Sequence, residues 1–304
     1  MSELVWRGGP ALVTGASGFV GRKVMQIGRS LGVELHAFGR TAPGAGEHFH
    51  AGEIEDAERV AAVVARVAPA GIIHLAAAGV GYGQTDMASL CRVNALGLAH
   101  LLEAAARLST PPAVVCAGSG FEYVPLDRAR REEDLLQPNS AYGASKVVAT
   151  AIASFYAARL PVTVLRPFSI YGAGEPAGRL AAYLVDKTRA GEPVDLTPGE
   201  QVRDYAEVSD VAEAFWRALV RPPASGALRA LNVATGCPIT LRAFAEAVAE
   251  ALRRAGFTPD LRFGARPYRA DEMMDYTADI SALRATFGWA PATPLATGLE
   301  RMLR

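Results

Sequence analysis

The sequence predicts an α/β fold, a doubly wound parallel sheet with a smaller C-terminal lobe interleaved with it. Three observations carry that expectation. A short apolar run, Pro10-Ala11-Leu12-Val13, leads into glycines at 15, 18 and 21, with Val20, Val24, Ile27 and Leu31 at helical spacing behind them. Apolar runs of strand length then alternate with alanine-rich helical runs to about residue 167. Beyond that, Gly172, Gly174, Pro176 and Gly178 mark an irregular loop, and later segments return to the earlier pattern.

The first unit reads as strand, glycine-rich turn and helix. Gly15 permits the tight turn, Gly18 lets a pyrophosphate approach the backbone, and Gly21 lets helix and strand pack closely. Free N–H groups at the helix start, around Ser17, Phe19 and Val20, would hold the phosphates. The spacing is G-x-x-G-x-x-G, not the G-x-G-x-x-G of most such turns. These features describe a Rossmann-like unit for a dinucleotide.

Composition narrows the field. The 304 residues, half of them hydrophobic, suit one large domain with a smaller lobe. Basic and acidic side chains balance at 31 each, whereas a nucleic-acid or anionic-membrane partner favours a strongly basic surface. Cys91, Cys116 and Cys237 are odd in number and widely spaced among apolar residues. They are expected to be reduced core thiols, with no disulfide framework and no metal site. No apolar run has the length of a signal core or a membrane span, so a soluble cytoplasmic protein is expected.

The second strand, Val33 to Gly39, ends at Arg40, where the adenosine ribose is read. An acidic residue there would bond a free 2′-hydroxyl, whereas Arg40 can pair with a 2′-phosphate. NADP is therefore expected ahead of NAD. Residues 51–56 read as a short strand end, where Glu53 and Ile54 flank the adenine. A helix is expected over 56–67 and a buried strand over 71–77, with Leu75, Ala76 and Ala77 beside the cofactor and His74 as a packed strand residue. The glycine-rich loop 78–84 places Tyr82 and Gln84 within reach of a substrate. A helix follows over 92–107, in which Asn94 needs hydrogen-bond partners if buried.

The strand Ala113 to Ala117 opens into Gly118-Ser119-Gly120-Phe121-Glu122-Tyr123. A long helix begins near Tyr142, and Lys146 lies one turn along the same face. A cation beside a phenol lowers its pKa, so Tyr142 would exchange a proton with a carbonyl or alcohol oxygen. Ser119 would supply a second hydrogen bond to that oxygen.

These residues resemble the extended branch of the short-chain dehydrogenase/reductase superfamily, the sugar-nucleotide-modifying enzymes. The likeness rests on Thr14 to Gly21, on Ala117-Gly118-Ser119 with Tyr123, and on Tyr142-Gly143-Ala144-Ser145-Lys146. It continues through Leu165 to Gly172, Gln201 to Ala212, and the tail from Asp279 to Pro291. The resemblance implies Tyr142 as acid/base, Lys146 on the nicotinamide ribose and lowering the tyrosine pKa, and Ser119 on the reacting oxygen. It places Pro167, Phe168 and Ser169 beside the nicotinamide, and Arg203 with Arg266 or Arg269 on the substrate diphosphate. Arg179 and Glu122 are expected as further substrate contacts.

Sugar dehydratases of this branch look like Thr-Asp-Glu where this chain has Ser119, Gly120 and Phe121, and neither Gly120 nor Phe121 moves a proton. Two redox readings are left. With Arg40 as a phosphate reader, the main expectation is an NADP-dependent reductase of a nucleotide-linked 4-keto-6-deoxy sugar. The alternative is an NAD(P)-dependent nucleotide-sugar 4-epimerase, and a non-catalytic NADP-binding sensor is a third. The expected division is a dinucleotide-binding domain of residues 1–167, joined by 208–235, and a substrate lobe of 168–207 and 236–304. The alanine-rich helices at 92–107 and 142–159 suit a two-fold homodimer.

Overall fold

A computed structural model of the chain describes residues 4–44, 48–79, 86–224, 226–269 and 272–304. The chain runs β1 (Ala11–Thr14), α1 (Phe19–Ser30), β2 (Leu35–Gly39), β3 (His48–Ala51), α2 (Ala57–Val67) and β4 (Gly71–His74). It continues through α3 (Met87–Cys91), a π-helical turn (Arg92–Leu96), α4 (Gly97–Ala106), β5 (Ala113–Ala117), α5 (Ala141–Tyr156) and β6 (Val162–Pro167). Next come β7 (Ser169–Tyr171), α6 (Leu180–Arg189), β8 (Val194–Leu196), β9 (Val202–Arg203), β10 (Tyr205–Glu207), α7 (Val208–Val220) and β11 (Arg229–Val233). The tail holds β12 (Ile239–Thr240), α8 (Leu241–Arg254), β13 (Leu261–Phe263), β14 (Asp275–Tyr276), α9 (Ser281–Phe287) and α10 (Leu295–Leu303).

Seven strands form one parallel sheet in the order β11-β6-β5-β4-β1-β2-β3. Its inner strands are mostly apolar because helices cover both faces; Ala11, Leu12 and Val13 are fully buried. From β1 the chain winds outward to β2 and β3, then crosses back to β4 and winds the other way. The crevice above the strand ends at β1 and β4 is therefore the switch point where such sheets bind ligands. Three short sheets pair β7 with β10, β8 with β13, and β9 with β12 and β14.

Side-chain caps fix the helix starts. Asp56 accepts from Arg59 N at 3.0 Å at the head of α2, and Ser140 accepts from Gly143 N at 3.1 Å at the head of α5. The return of residues 208–220 as a helix is observed as α7. Its Trp216 Nε1 donates to the Val24 carbonyl of α1 at 2.8 Å. A Cβ on Gly28 would lie 2.5 Å from the Trp216 ring, so glycine lets α1 and α7 meet.

Several boundaries differ from those expected. Strand β4 ends at His74, although the Leu75 N–H still donates to the Thr14 carbonyl of β1. Residues 53–56 form a turn after β3, closed by Asp56 N on the Glu53 carbonyl. The helix expected from 92 begins with a π turn around Asn94. That side chain is buried and satisfied: it accepts from Ala78 N at 2.8 Å and donates to the Ala78 carbonyl and to Ser145 Oγ. All three cysteines are free, but the core-thiol expectation holds for Cys116 alone. Cys91 is half-buried, and Cys237 is exposed on the turn after β11. No described helix is long and apolar enough to cross a membrane.

Candidate active site

A cavity of about 1390 Å³ lies over the C-terminal ends of the strands. Its floor is the glycine turn between β1 and α1. Gly15 has φ +69°, and a Cβ there would lie 2.6 Å from Ala76 N. A Cβ on Gly21 would lie 2.1 Å from the Gly15 carbonyl, so helix and turn close only on glycine. Gly18 caps α1 without a side-chain bond, and the first turn of α1 holds no acidic residue. Its orphan N–H groups thus face the cavity as an anion site. Ser17, Phe19 and Val20 line the same wall.

The turn continues to the tips of β2 and β3, where Arg40, Glu53 and Ile54 line the cavity. Arg40 Nε lies 3.9 Å from Glu53 Oε2, and both side chains are exposed. Leu75, Ala76 and Ala77 line the middle. Thr14 Oγ1 accepts from Ala76 N at 3.2 Å and sits 2.8 Å from His74 Nδ1. Burial, followed by the charge of Lys146, lowers the His74 pKa to about 3, so the ring is a neutral strand residue.

Tyr142 and Lys146 project from the first turns of α5 beside the end of β5. Lys146 Nζ donates to the Ala117 carbonyl at 2.9 Å and lies 5.8 Å from the centre of the Tyr142 ring. Burial lowers the Lys146 pKa to about 8, opposed by the charge of Glu122. Tyr142 is pushed above the ordinary phenol range by burial and then by the charge of Glu122; a hydrogen bond from Ser119 and the charge of Arg179 act the other way. The expectation that Lys146 lowers the tyrosine pKa is therefore corrected. The ammonium is turned to a backbone carbonyl, and a dry site with a buried carboxylate keeps the phenol protonated.

Glu122 is also corrected as a substrate contact. Its carboxylate is fully buried, accepting from Ser119 N at 2.7 Å on Oε1, and from Thr150 Oγ1 at 2.8 Å and Arg166 Nε at 2.9 Å on Oε2. Ser119 Oγ in turn accepts from Phe121 N at 3.2 Å. Ser119-Gly120-Phe121-Glu122 is thus a capping box around a short 3₁₀ turn. Glu122 positions Ser119 from behind and leaves its hydroxyl to the cavity.

Pro167, Phe168 and Ser169 line the far wall of the reaction centre. Tyr276, from β14, joins them without having been singled out in the sequence. Its buried ring stacks on Phe121 at 4.6 Å and tilts against Phe168 at 4.7 Å. Ser119 is a hydrogen-bond neighbour of Tyr142, whereas the buried Tyr276 Oη beside it has no hydrogen-bond partner among the described residues. Its only sequence signal is a place three residues before Asp279.

Arginines gather at the other end. Arg203 Nη2 pairs with Glu272 Oε1 at 2.7 Å, and Arg269 Nε lies 3.4 Å from Glu272 Oε2, so one carboxylate holds both against the cavity. Arg266 reaches the same wall and donates to Tyr183 Oη at 3.0 Å. Arg179, the N-cap residue of α6, donates to the Ile170 carbonyl and to Glu175 Oε1 at 3.1 Å. Burial raises the Glu175 pKa to about 7, against the pull of Arg179. Tyr82 and Gln84 lie outside the described residues.

Comparison with known proteins agrees with this arrangement. The profile of the NAD dependent epimerase/dehydratase family matches residues 11–234. UDP-glucuronate 4-epimerase 1 of Arabidopsis thaliana is 29% identical, over 96% of this chain and 75% of that protein. UDP-glucose 4-epimerase of Mycolicibacterium smegmatis is 28% identical, over 95% and 96%. The solved structure of MoeE5 in complex with UDP-glucose and NAD superposes with a TM-score of 0.84 at 28% identity, covering 97% of each chain. With the glycine turn, the Ser119, Tyr142 and Lys146 set and the parallel sheet beneath them, the chain belongs to the NAD-dependent epimerase/dehydratase family and is a short-chain dehydrogenase/reductase-type enzyme of nucleotide sugars.

Proposed function

We propose that this protein is an NAD-dependent 4-epimerase of a UDP-sugar. The observation that carries the reading is its likeness, over nearly its whole length, to UDP-sugar 4-epimerases and to a protein that holds UDP-glucose and NAD together. The expected 4-keto-6-deoxy sugar reductase gives way to the epimerase alternative. Its premise was Arg40 as reader of a 2′-phosphate, and Arg40 leans on Glu53 instead. A phosphate there would meet the Glu53 carboxylate, which suits a free 2′-hydroxyl better.

The residues present fit the dinucleotide. The uncapped start of α1 would hold the pyrophosphate, Glu53 and Ile54 the adenosine, and Lys146 the nicotinamide ribose. Residues 1–167 with 208–235 would hold the cofactor, and 168–207 with 236–304 the sugar nucleotide. Arg203, Arg266 and Arg269 supply positive charge for its diphosphate. The chemistry that bound NAD supplies is reversible acceptance of a hydride at C4 of the sugar.

The chain's own groups handle the proton. Ser119 Oγ and Tyr142 Oη hold O4, and Tyr142 takes its proton as the carbonyl forms and returns it as the carbonyl is reduced. Positive charge favours the base form of Tyr142, and Arg179 is this chain's source of it. Phe121, Phe168 and Tyr276 keep water from the keto sugar.

A two-fold dimer through α4 and α5 is part of the proposal. Val148 and Phe155 on α5 and Leu96 just before α4 are exposed, Phe155 to 71%. Light scattering on Phe155→Glu should read a monomer where the parent chain reads a dimer.

The test of the reaction is incubation with NAD and either UDP-glucose or UDP-glucuronate. Formation of the 4-epimer with no net change in reduced-nicotinamide absorbance is expected. Stoichiometric oxidation of NADPH by a keto-sugar nucleotide, without epimerisation, would overturn the proposal.

A further inference from the structure

Three of the chain's five histidines stand together at the edge of the large sheet, at the ends of the strands remote from the cavity. His36 of β2 pairs in register with His48 of β3, and Phe38 with His50. Glu34 lies two residues before His36 in the chain. Period-two alternation along paired parallel strands puts Glu34, His36, His48 and His50 on one face, the face whose Phe38 packs under α2.

Within this group Glu34, His36 and His48 each turn one donor atom inward, and the three atoms lie within 4.8 Å of one another. His36 Nε2 is 3.0 Å from Glu34 Oε1, and on the other side of the ring His36 Nδ1 is 3.0 Å from His50 Nε2. His48 stacks on His36 with ring centres 4.6 Å apart. With His36 Nε2 facing the Glu34 carboxylate, the 3.0 Å contact on the other side of the ring lets His36 Nδ1–H donate to His50 Nε2.

We propose that Glu34, His36 and His48 form a site for a divalent transition-metal ion. His36 Nε2 and Glu34 Oε1 share either a proton or a cation. A ring that donates from one nitrogen while its other nitrogen faces a carboxylate is oriented as metal-ligating imidazoles are. His50 is then the positioning residue that fixes the tautomer. Two imidazoles and a carboxylate select zinc, cobalt, nickel or copper over magnesium or calcium. Donors on a common zinc stand closer than 4.8 Å, and the exposed side chains of Glu34 and His48 are free to swing in. The ion would clip edge strand β3 to β2, the two strands whose other ends deliver Arg40 and Glu53 to the cavity.

The test is calorimetric titration of the metal-free, full-length protein with Zn²⁺ at pH 7.5, with Mg²⁺ as the comparison. One Zn²⁺ per chain is expected, and no Mg²⁺ at the same concentration. His36→Ala, His48→Ala and Glu34→Gln should each weaken Zn²⁺ binding on the order of tenfold or more. Cys237→Ser, which alters the exposed thiol, should leave it unchanged. Retained NAD binding and circular dichroism show that the variants are folded. Absence of stoichiometric Zn²⁺ binding, equal affinity in the three variants, or loss in Cys237→Ser alone would each overturn the site.

Discussion

Burial keeps the Tyr142 phenol protonated at the wall of the cavity and lowers the Lys146 pKa beside it to about 8. Tyr142→Phe removes the proton carrier and keeps the ring. Turnover should fall about 10²- to 10⁴-fold in steady-state assays, with NAD affinity by calorimetry close to that of the parent. Lys146 also leaves a mark on stability. Its pKa is near 10.5 unfolded and about 8 folded. Below pH 8 both states are protonated and the cost of burying the charge stands in full. From pH 8 to 10.5 the folded chain has given up a proton that the unfolded chain keeps, so stability rises with pH. Urea unfolding of the parent against Lys146→Met should show the parent gaining on the variant across that window. Glu122→Gln should cost about 3–5 kcal/mol in the same measurement, because it leaves the buried Arg166 guanidinium without its charge partner. At this scale helical spacing stacks Tyr142 and Lys146 on one face, and the resemblance to the short-chain dehydrogenase/reductase motifs is what singles them out. The sequence misdirects Glu122, whose orientation follows from the capping box and from Arg166 and Thr150, residues far along the chain. Tyr276 is brought to Ser119 by a two-residue strand that no periodicity marks.

Elements built on strong periodicity were readable, and their ends were readable where a side chain caps them. Helix α7 spans the expected residues because Glu207 accepts from Ser209 N at 2.8 Å at its head. The π turn was hidden. One extra residue in a helical turn does not disturb the apolar pattern of an alanine-rich stretch, although it turns Asn94 toward the loop after β4. There Asn94 ties Ala78, next to the cofactor wall, to Ser145 of α5, next to Lys146. Asn94→Ala should cost about 1–3 kcal/mol by leaving these buried partners unpaired. It should also lower turnover while the Tyr142 and Lys146 side chains stay unchanged, a combination read by urea unfolding alongside initial rates.

The return of α7 and β11 to the large sheet was also legible, from apolar strand and helix patterns that resume after the loop at 172–178. The sequence could not show how tightly the returning pieces are bound in. Asp204 accepts from Thr235 N and from Gly236 N, at 2.8 and 2.7 Å, tying the β9–β10 segment to the turn after β11. Arg130 pairs with Asp275 at 2.9 Å, joining the segment between β5 and α5 to the C-terminal tail. A fragment of residues 1–167 therefore lacks α7 and β11. It should show no cooperative thermal transition by circular dichroism, whereas the full chain should show one. The contact between Trp216 and Gly28 carries this further, to the way the protein is made. A ribosome has released the glycine turn, α1 and most of the large sheet long before it reaches α7. Until then the side of α1 that α7 covers, around Val24 and Met25, lacks that half of its packing. The nascent dinucleotide half must wait, partly open, for a helix encoded nearly two hundred residues later, which makes translation pauses in that interval the moment of greatest exposure to aggregation.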